Sequence, residues 1–187
     1  LDGDRRRWFL LNALFLSLPG APIIYYGDEI GMGDNIWLHD RNGVRTPMQW
    51  TDGQNAGFSK AETTYLPVID DEAYGYQHLN VAAQEADPDS ILNVTRFLIR
   101  TRQSQPALRA GEFAWVETGS TAVIAFRRTS AENKVLCLFN LTGQPQKLTV
   151  PLARDTIDLL TREPSHIPAG TEQSLDPYAA HWLVSPT

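Results

Sequence analysis

The chain has 187 residues, 42% of them hydrophobic and 20% charged, with a formal net charge of −6. That is an ordinary globular composition, long enough for one large domain or two small ones. The acidic balance leaves no basic footprint for nucleic acid, no run reaches the ~18–20 apolar residues of a membrane-spanning helix, and the lone Cys137 excludes an intramolecular disulfide framework.

In chain order, Arg5 to Leu18 reads as a helix, with Asp2 or Asp4 as possible caps and Pro19-Gly20 ending it. Its second half is apolar on nearly every side, which suits burial in a larger body. The basic-then-apolar order imitates a signal peptide, but the following "APIIYYGDE" reads as a strand entering a structured loop, so that reading is rejected. With no initiator methionine, the chain is expected to be cut from something longer. "PIIYY" at 22–26, bounded by Pro22 and Gly27, predicts a strand covered on both faces, as in a parallel sheet.

From Gly27 to about Ala86 the chain is irregular yet rich in aromatic residues, the mark of a functional loop rather than disorder. Asp87 as N-cap and Pro88 at the first turn predict a helix running to Gln105, with Ile91, Leu92, Val94, Phe97 and Leu98 on its apolar stripe. After Gly111 short runs alternate with turn signals: "FAWVE", "TAVIAFRR", "KVLCLFNL", "QKLTV", "TIDLL" and "YAAHWLV" predict an antiparallel sandwich. Cys137, flanked by Val135, Leu136, Leu138 and Phe139, is expected to be a buried, inert thiol in a protein of a reducing, cytoplasmic compartment. Trp115 and Trp182 lie in predicted strands, where two fates are open, an exposed sugar platform or core packing, and core packing is the expected one for an indole.

Asp28 and Glu29 follow the predicted strand directly. Adjacent residues in extended chain point in opposite directions, so the two are expected to hold the glycine-rich turn rather than share one substrate. Asp70-Asp71-Glu72 lacks calcium-loop spacing, and His39, His78, His166 and His181 lack zinc spacing, so no metal site or cofactor is expected. The richest stretch is "NIWLHDRNGVRTPMQW" at 35–50. Arg41 and Arg45 offer planar forks of donors, Trp37 and Trp50 offer apolar faces, and Pro47 stiffens the backbone. The residues alone leave two readings open, ligand binding or structural clamps.

The run "LPGAPIIYYGDEIGMGDNIWLHDRNGVRTPMQW", continued by "TDGQNAGFS", "YLPV" and "YGYQHLNV", resembles glycoside hydrolase family 13, the α-amylase superfamily. Within it, "RTPMQW" followed by "NAGF" marks the α-glucosidase-like branch, and "DRNGVRTPMQW" is most similar to the trehalose synthase group, the maltose α-D-glucosyltransferases. His39 stands where that group usually has glycine.

The resemblance implies an α+β arrangement: the last helix, strand and loop of a (β/α)8 TIM barrel over residues 1–108, then an antiparallel β-sandwich domain over 109–187. It implies a retaining mechanism acting on maltose- or trehalose-type α-glucosides, with the three catalytic carboxylates after earlier barrel strands that this chain does not carry. It implies that Arg41 projects into a glucose pocket while Asp28, Glu29 and Arg45 order the loop. The chain alone is then expected to be inactive and to self-associate through the exposed barrel remnant. An exo-α-glucosidase or oligo-1,6-glucosidase of the same branch is the nearest alternative. A non-catalytic carbohydrate-binding or domain-interaction module is the alternative from another class.

Overall fold

The computed structural model describes residues 1, 3–148, 156–161, 166–167 and 173–185, so Asp2 and the end of "QKLTV" lie outside the described residues. The chain divides into two compact units: Leu1–Pro22 with Leu98–Thr187, and Ile23–Phe97.

In the first unit, α1 spans Arg5–Ser17 and starts at Asp4, whose carboxylate accepts the Arg6 N–H at 2.9 Å. This satisfies one of the donors that every helix leaves orphaned at its start. Leu10, Ala13, Leu16 and Ser17 form its buried face, while Leu11 and Phe15 remain exposed. The helix end is tied by two arginines. Arg102 donates to the carbonyls of Leu16, Leu18 and Gly20, and Arg128 donates to Ser17 O at 2.7 Å and Gly111 O at 3.0 Å. Cations at a helix C-terminus meet both the orphaned carbonyls and the negative end of the dipole.

Eight strands follow: β1 Glu112–Trp115, β2 Val123–Thr129, β3 Lys134–Asn140, β4 Gln146–Leu148, β5 Thr156–Asp158, β6 His166–Ile167, β7 Gln173–Leu175 and β8 Ala180–Val184. They make a six-stranded antiparallel sheet in the order β1-β2-β3-β8-β5-β6 and a two-stranded β4-β7 pair. Pairing of Ala125 with Leu138, and of Leu136 with Leu183, puts one set of alternate residues on one face. That face closes with Leu148 of β4 and Leu175 of β7 into a continuous apolar core. The opposite face, carrying Phe126, Arg128, Cys137 and Trp182, receives α1. Cys137 is buried there, and burial pushes its thiol far above the usual range.

Three sequence expectations need correction. Residues 22–26 form no strand, and Ile23 is 87% exposed, because no described segment offers them a ladder partner. Asp87 does not open the long helix. It closes a short one, α2 (Val81–Ala86), and Ser90 instead caps α3 (Ile91–Ser104), its hydroxyl accepting the Asn93 N–H at 3.2 Å. Pro106 ends α3 as expected and also starts α4, Pro106–Ala110. Finally, Trp115 is 66% exposed, since β1 is the edge of its sheet, whereas Trp182 on the inner strand β8 is fully buried.

Candidate substrate-binding loop

The second unit carries the motif-rich loop. It begins at Gly27, whose φ of 95° is a left-handed geometry open to glycine at little cost. The Glu29 carboxylate folds back to accept the Gly27 N–H at 2.7 Å, and Met32 N–H closes the turn on Gly27 O at 2.9 Å. Ile30, fully buried, anchors the turn on Met48 and Leu92. Thr95 on α3 also reaches the Glu29 carbonyl.

The next segment closes on itself between Asn35 and Gly43. The Asn35 N–H donates to Gly43 O at 3.1 Å, and the Asn35 side chain accepts the Trp37 N–H at 3.1 Å. A Cβ on Gly43 would lie 2.5 Å from the Asn35 carbonyl oxygen, so this crossing requires glycine. At the tip a six-residue 3-10 segment spans Asp40–Arg45, with Asp40 in the left-handed region at φ 55°.

The motif therefore divides in two. Thr46, Pro47, Met48 and Gln49 are buried, and the Gln49 amide donates to the carbonyls of Tyr74 and Leu79. The Gln49 carbonyl in turn accepts the Val81 N–H at 2.9 Å. The following Asn55 and Ala56 both take positive φ, and Ala56 O accepts the N–H groups of Trp50 and Thr51. The preceding half is presented instead of buried: Trp37 is 89% exposed, and Arg41 is exposed with no hydrogen bond or ion pair to any described residue. Among the described residues none accepts from the five donors of the Arg41 guanidinium.

Arg45 is also exposed and donates no hydrogen bond among the described residues. Its charge acts on Tyr26, whose hydroxyl ties the loop by donating to Thr46 O at 3.0 Å. Burial, and then Tyr25 beside it, raise the Tyr26 pKa, and Arg45 opposes them. Gln49, Tyr26 and Asn35 are the residues that hold this loop. Sequence reasoning passed over them, although Gln49 stands inside the quoted motif with its neighbours apolar or aromatic.

A cavity of about 220 Å³ opens beside this frame, lined by Tyr25, Tyr26, Asp28, Asp34, Val44 and Thr46 among others. Burial raises the Asp28 pKa above its ordinary value, the nearby Asp34 charge adds to this, and a backbone hydrogen bond at Tyr25 partly offsets it. Arg41 and Arg45 do not line that cavity. Among the described residues no three His, Cys, Asp or Glu side chains gather as a metal ion would need.

The family model described as alpha amylase, catalytic domain, matches residues 3–111. The chain belongs to the alpha-amylase family. A second model, described as maltogenic amylase, C-terminal domain, matches residues 113–182 of this alpha-amylase family member. The chain is 48% identical over 161 residues to trehalose synthase/amylase TreS of Mycobacterium tuberculosis, covering 83% of this chain and 27% of that protein. It is 46% identical over 160 residues to a trehalose synthase of Pimelobacter sp., covering 82% of this chain and 28% of that protein. A probable alpha-glucosidase of Rhizobium meliloti is 34% identical over 161 residues, covering 78% of this chain and 28% of that protein. The chain thus spans little more than a quarter of the length of these relatives. Among solved structures, the trehalulose synthase of Pseudomonas mesoacidophila superposes with a TM-score of 0.77 at 24% identity, covering 98% of this chain and 40% of that one. At that identity the likeness speaks for the fold, a barrel end continued by the C-terminal β-domain.

Proposed function

We propose that this chain is the C-terminal part of a trehalose synthase-like enzyme that interconverts maltose and trehalose by a retaining mechanism. One observation carries the reading: identity to named trehalose synthases reaches 48%, against 34% and 36% for two named α-glucosidases matched over spans of similar length. Residues 1–108 are taken as the end of the barrel and 109–187 as the β-domain, a division supported by family models that meet between residues 111 and 113. In the full-length protein Arg41 binds the glucosyl unit, its unpaired donors being suited to sugar hydroxyls or a carboxylate that holds the sugar. Asp28, Glu29, Arg45 and the buried Thr46–Gln49 run keep that arginine presented.

The reading is tested by incubating the full-length protein with maltose and analysing products. Trehalose as the main product supports it, and glucose as the main product selects the exo-α-glucosidase instead. Arg41→Ala is expected to lower kcat/KM on maltose roughly 10- to 100-fold, the loss of charge-assisted hydrogen bonds. The 187-residue chain alone turns over no nitrophenyl glucoside, because the family's catalytic carboxylates lie outside it. It also self-associates through the exposed barrel remnant, where Ile23, Leu11 and Tyr25 are open to solvent, and light scattering on the purified chain checks this. A cytoplasmic location fits the single buried thiol, and no helix among the described residues is long and apolar enough to cross a membrane.

A second reading is a non-catalytic carbohydrate-binding or domain-interaction module, and it is supported by a relative whose name is not that of an enzyme. A human protein named amino acid transporter heavy chain SLC3A1 is 32% identical over 169 residues, covering 80% of this chain and 24% of that protein. Absence of any glucosyl transfer by the full-length protein would select it.

A further inference from the structure

Asn42 and Gly43 stand side by side at the tip of the loop, inside the 3-10 segment Asp40–Arg45. The chain has eight asparagines, at 12, 35, 42, 55, 80, 93, 133 and 140. Seven of them have their side-chain amide in at least one hydrogen bond. Asn42 has no side-chain hydrogen bond to any described residue, and it alone is followed by glycine.

Both features bear on one reaction, attack of a backbone nitrogen on the carbonyl carbon of the asparagine side chain before it. The side chain of the attacking residue hinders that approach, and glycine has none. A hydrogen bond on the amide holds its carbon away from attack geometry, and Asn42 lacks one. The backbone is also weakly held here. The Asn42 N–H donates to His39 O at 3.3 Å, and Asp40 sits at φ 55°. Short 3-10 segments have poor hydrogen-bond geometry, and loop tips are among the first regions to open. The glycine is nevertheless fixed by the fold, since a Cβ at 43 would lie 2.5 Å from the Asn35 carbonyl oxygen.

We propose that Asn42–Gly43 is a site of self-modification, at which Asn42 loses its amide through a cyclic imide and the loop is disabled with age. The Gly43 nitrogen bonds to Asn42 Cγ and gives up its proton. The Cγ–Nδ2 bond breaks, and Nδ2 leaves with that proton as ammonia. Water then opens the ring at either carbonyl, leaving aspartate or isoaspartate at 42, with no change of oxidation state. Isoaspartate routes the main chain through the former side chain and so lengthens it between Asn35 and Gly43. That stretch is closed by the Asn35 N–H on Gly43 O at 3.1 Å, and the close contact at Gly43 leaves no slack for added length. Arg41 lies within it and loses its fixed position. A carboxylate also replaces a neutral amide one residue from that guanidinium, within screening distance.

The functional half of this inference rests on the proposed role of Arg41, whereas the chemical half does not. Full-length protein is aged at neutral and mildly alkaline pH. Residue 42 is followed by peptide mapping with mass spectrometry, and maltose turnover is measured on the same samples. A synthetic peptide of residues 38–46 gives the unconstrained rate. Conversion at 42 is expected to be at least ~10-fold faster than at any other asparagine. It accelerates with pH, because the attacking nitrogen must lose its proton, and kcat/KM falls in step with the isoaspartate formed. Asn42→Gln, which would have to close a larger ring, keeps its activity over the same period. An amide at 42 that survives while the free peptide is converted would overturn the proposal. So would equal conversion at all the asparagines, or conversion with turnover undiminished. The unaged sample reports on the sugar chemistry separately, through the product it makes from maltose before any conversion. Where Asn42→Gln does not fold, mapping and turnover of the parent sequence decide the matter.

Discussion

Arg128 on β2 donates to the carbonyl of Ser17, the last residue of α1, across 111 residues of sequence at 2.7 Å. The guanidinium is 1% exposed, and burial lowers its pKa. Arg102 ends on the same helix terminus, so two buried cations meet neighbouring carbonyls, and neither is paired with a carboxylate among the described residues. Among the described residues each is balanced by carbonyl dipoles and the helix end.

Removing Arg128 leaves Ser17 O and Gly111 O without their donor in a dry interface. Arg128→Ala is expected to cost about 2–4 kcal/mol of stability in urea unfolding. Arg128→Lys recovers little, since one ammonium on a flexible stem cannot span both carbonyls as the planar fork does. Full rescue by lysine would show that charge, not fork geometry, matters there.

Gln49→Ala tests the buried half of the loop motif. It strands the carbonyls of Tyr74 and Leu79, with an expected loss of about 2–4 kcal/mol at this site. Hydrogen exchange reads it locally: the amides of Val81 and Ala82, bonded to the carbonyls of Gln49 and Trp50, exchange faster while β3 amides are unchanged. Uniform loss of protection throughout the chain would contradict a local role.

Gly43→Ala places a methyl 2.5 Å from the Asn35 carbonyl oxygen, which must move. The expected cost is about 1–3 kcal/mol, typical of overpacking. In the full-length enzyme the same change is expected to raise KM for maltose, because Arg41 rides on the loop that this crossing closes. An unchanged KM in a folded variant would detach Arg41 from substrate binding.

Asp4 supplies the acid-side pH dependence. Its hydrogen bonds from Arg6 hold its pKa at about 2, against an ordinary 3.8. The folded value lies below the unfolded one, so the stabilisation is complete above the unfolded value and disappears as pH falls through the folded value. Thermal melts of the parent and Asp4→Asn are expected to converge between about pH 4 and pH 2. The pair is solvent-exposed, so the difference is small and shrinks with added salt. Curves that stay parallel through that range would exclude Asp4 as the titrating cap.

What the sequence disclosed follows from the range of the forces involved. Asp4 and α1 were legible because a cap and its helix are adjacent in the chain. Six of the eight described strands were legible by alternation and by the turns between them, down to the three residues of β4, whereas β6 and β7, two and three residues long, fall in none of the predicted runs. Asp87 misled because α2 is six residues long, too short to show a period, and the Asp87 carboxylate holds the turn between α2 and α3 by accepting the Asp89 N–H instead of capping α3. Trp115 and Trp182 occupy similar local sequence yet differ completely in burial, since sheet order is a non-local property. "PIIYY" has the composition of a strand, but a strand exists only with a partner. At the loop, the motif drew attention to Arg41. The side chains of Tyr26 and Gln49 act on residues 20 to 30 positions away and left no spacing signal, and Asn35 reaches Gly43 through its backbone, which carries no side-chain signature.

The Arg128–Ser17 contact also sets an order of events during synthesis. Helix α1 leaves the ribosome before β2, and the side chain that closes its end is made 111 residues later. At ~5–20 residues per second that is roughly 6–22 seconds during which Leu10, Ala13 and Leu16 have no sheet to lie on. A nascent chain in that interval is a client for whatever binds short apolar helices. A slow stretch of codons between α1 and β2 would lengthen the exposure, and haste there would favour the fold.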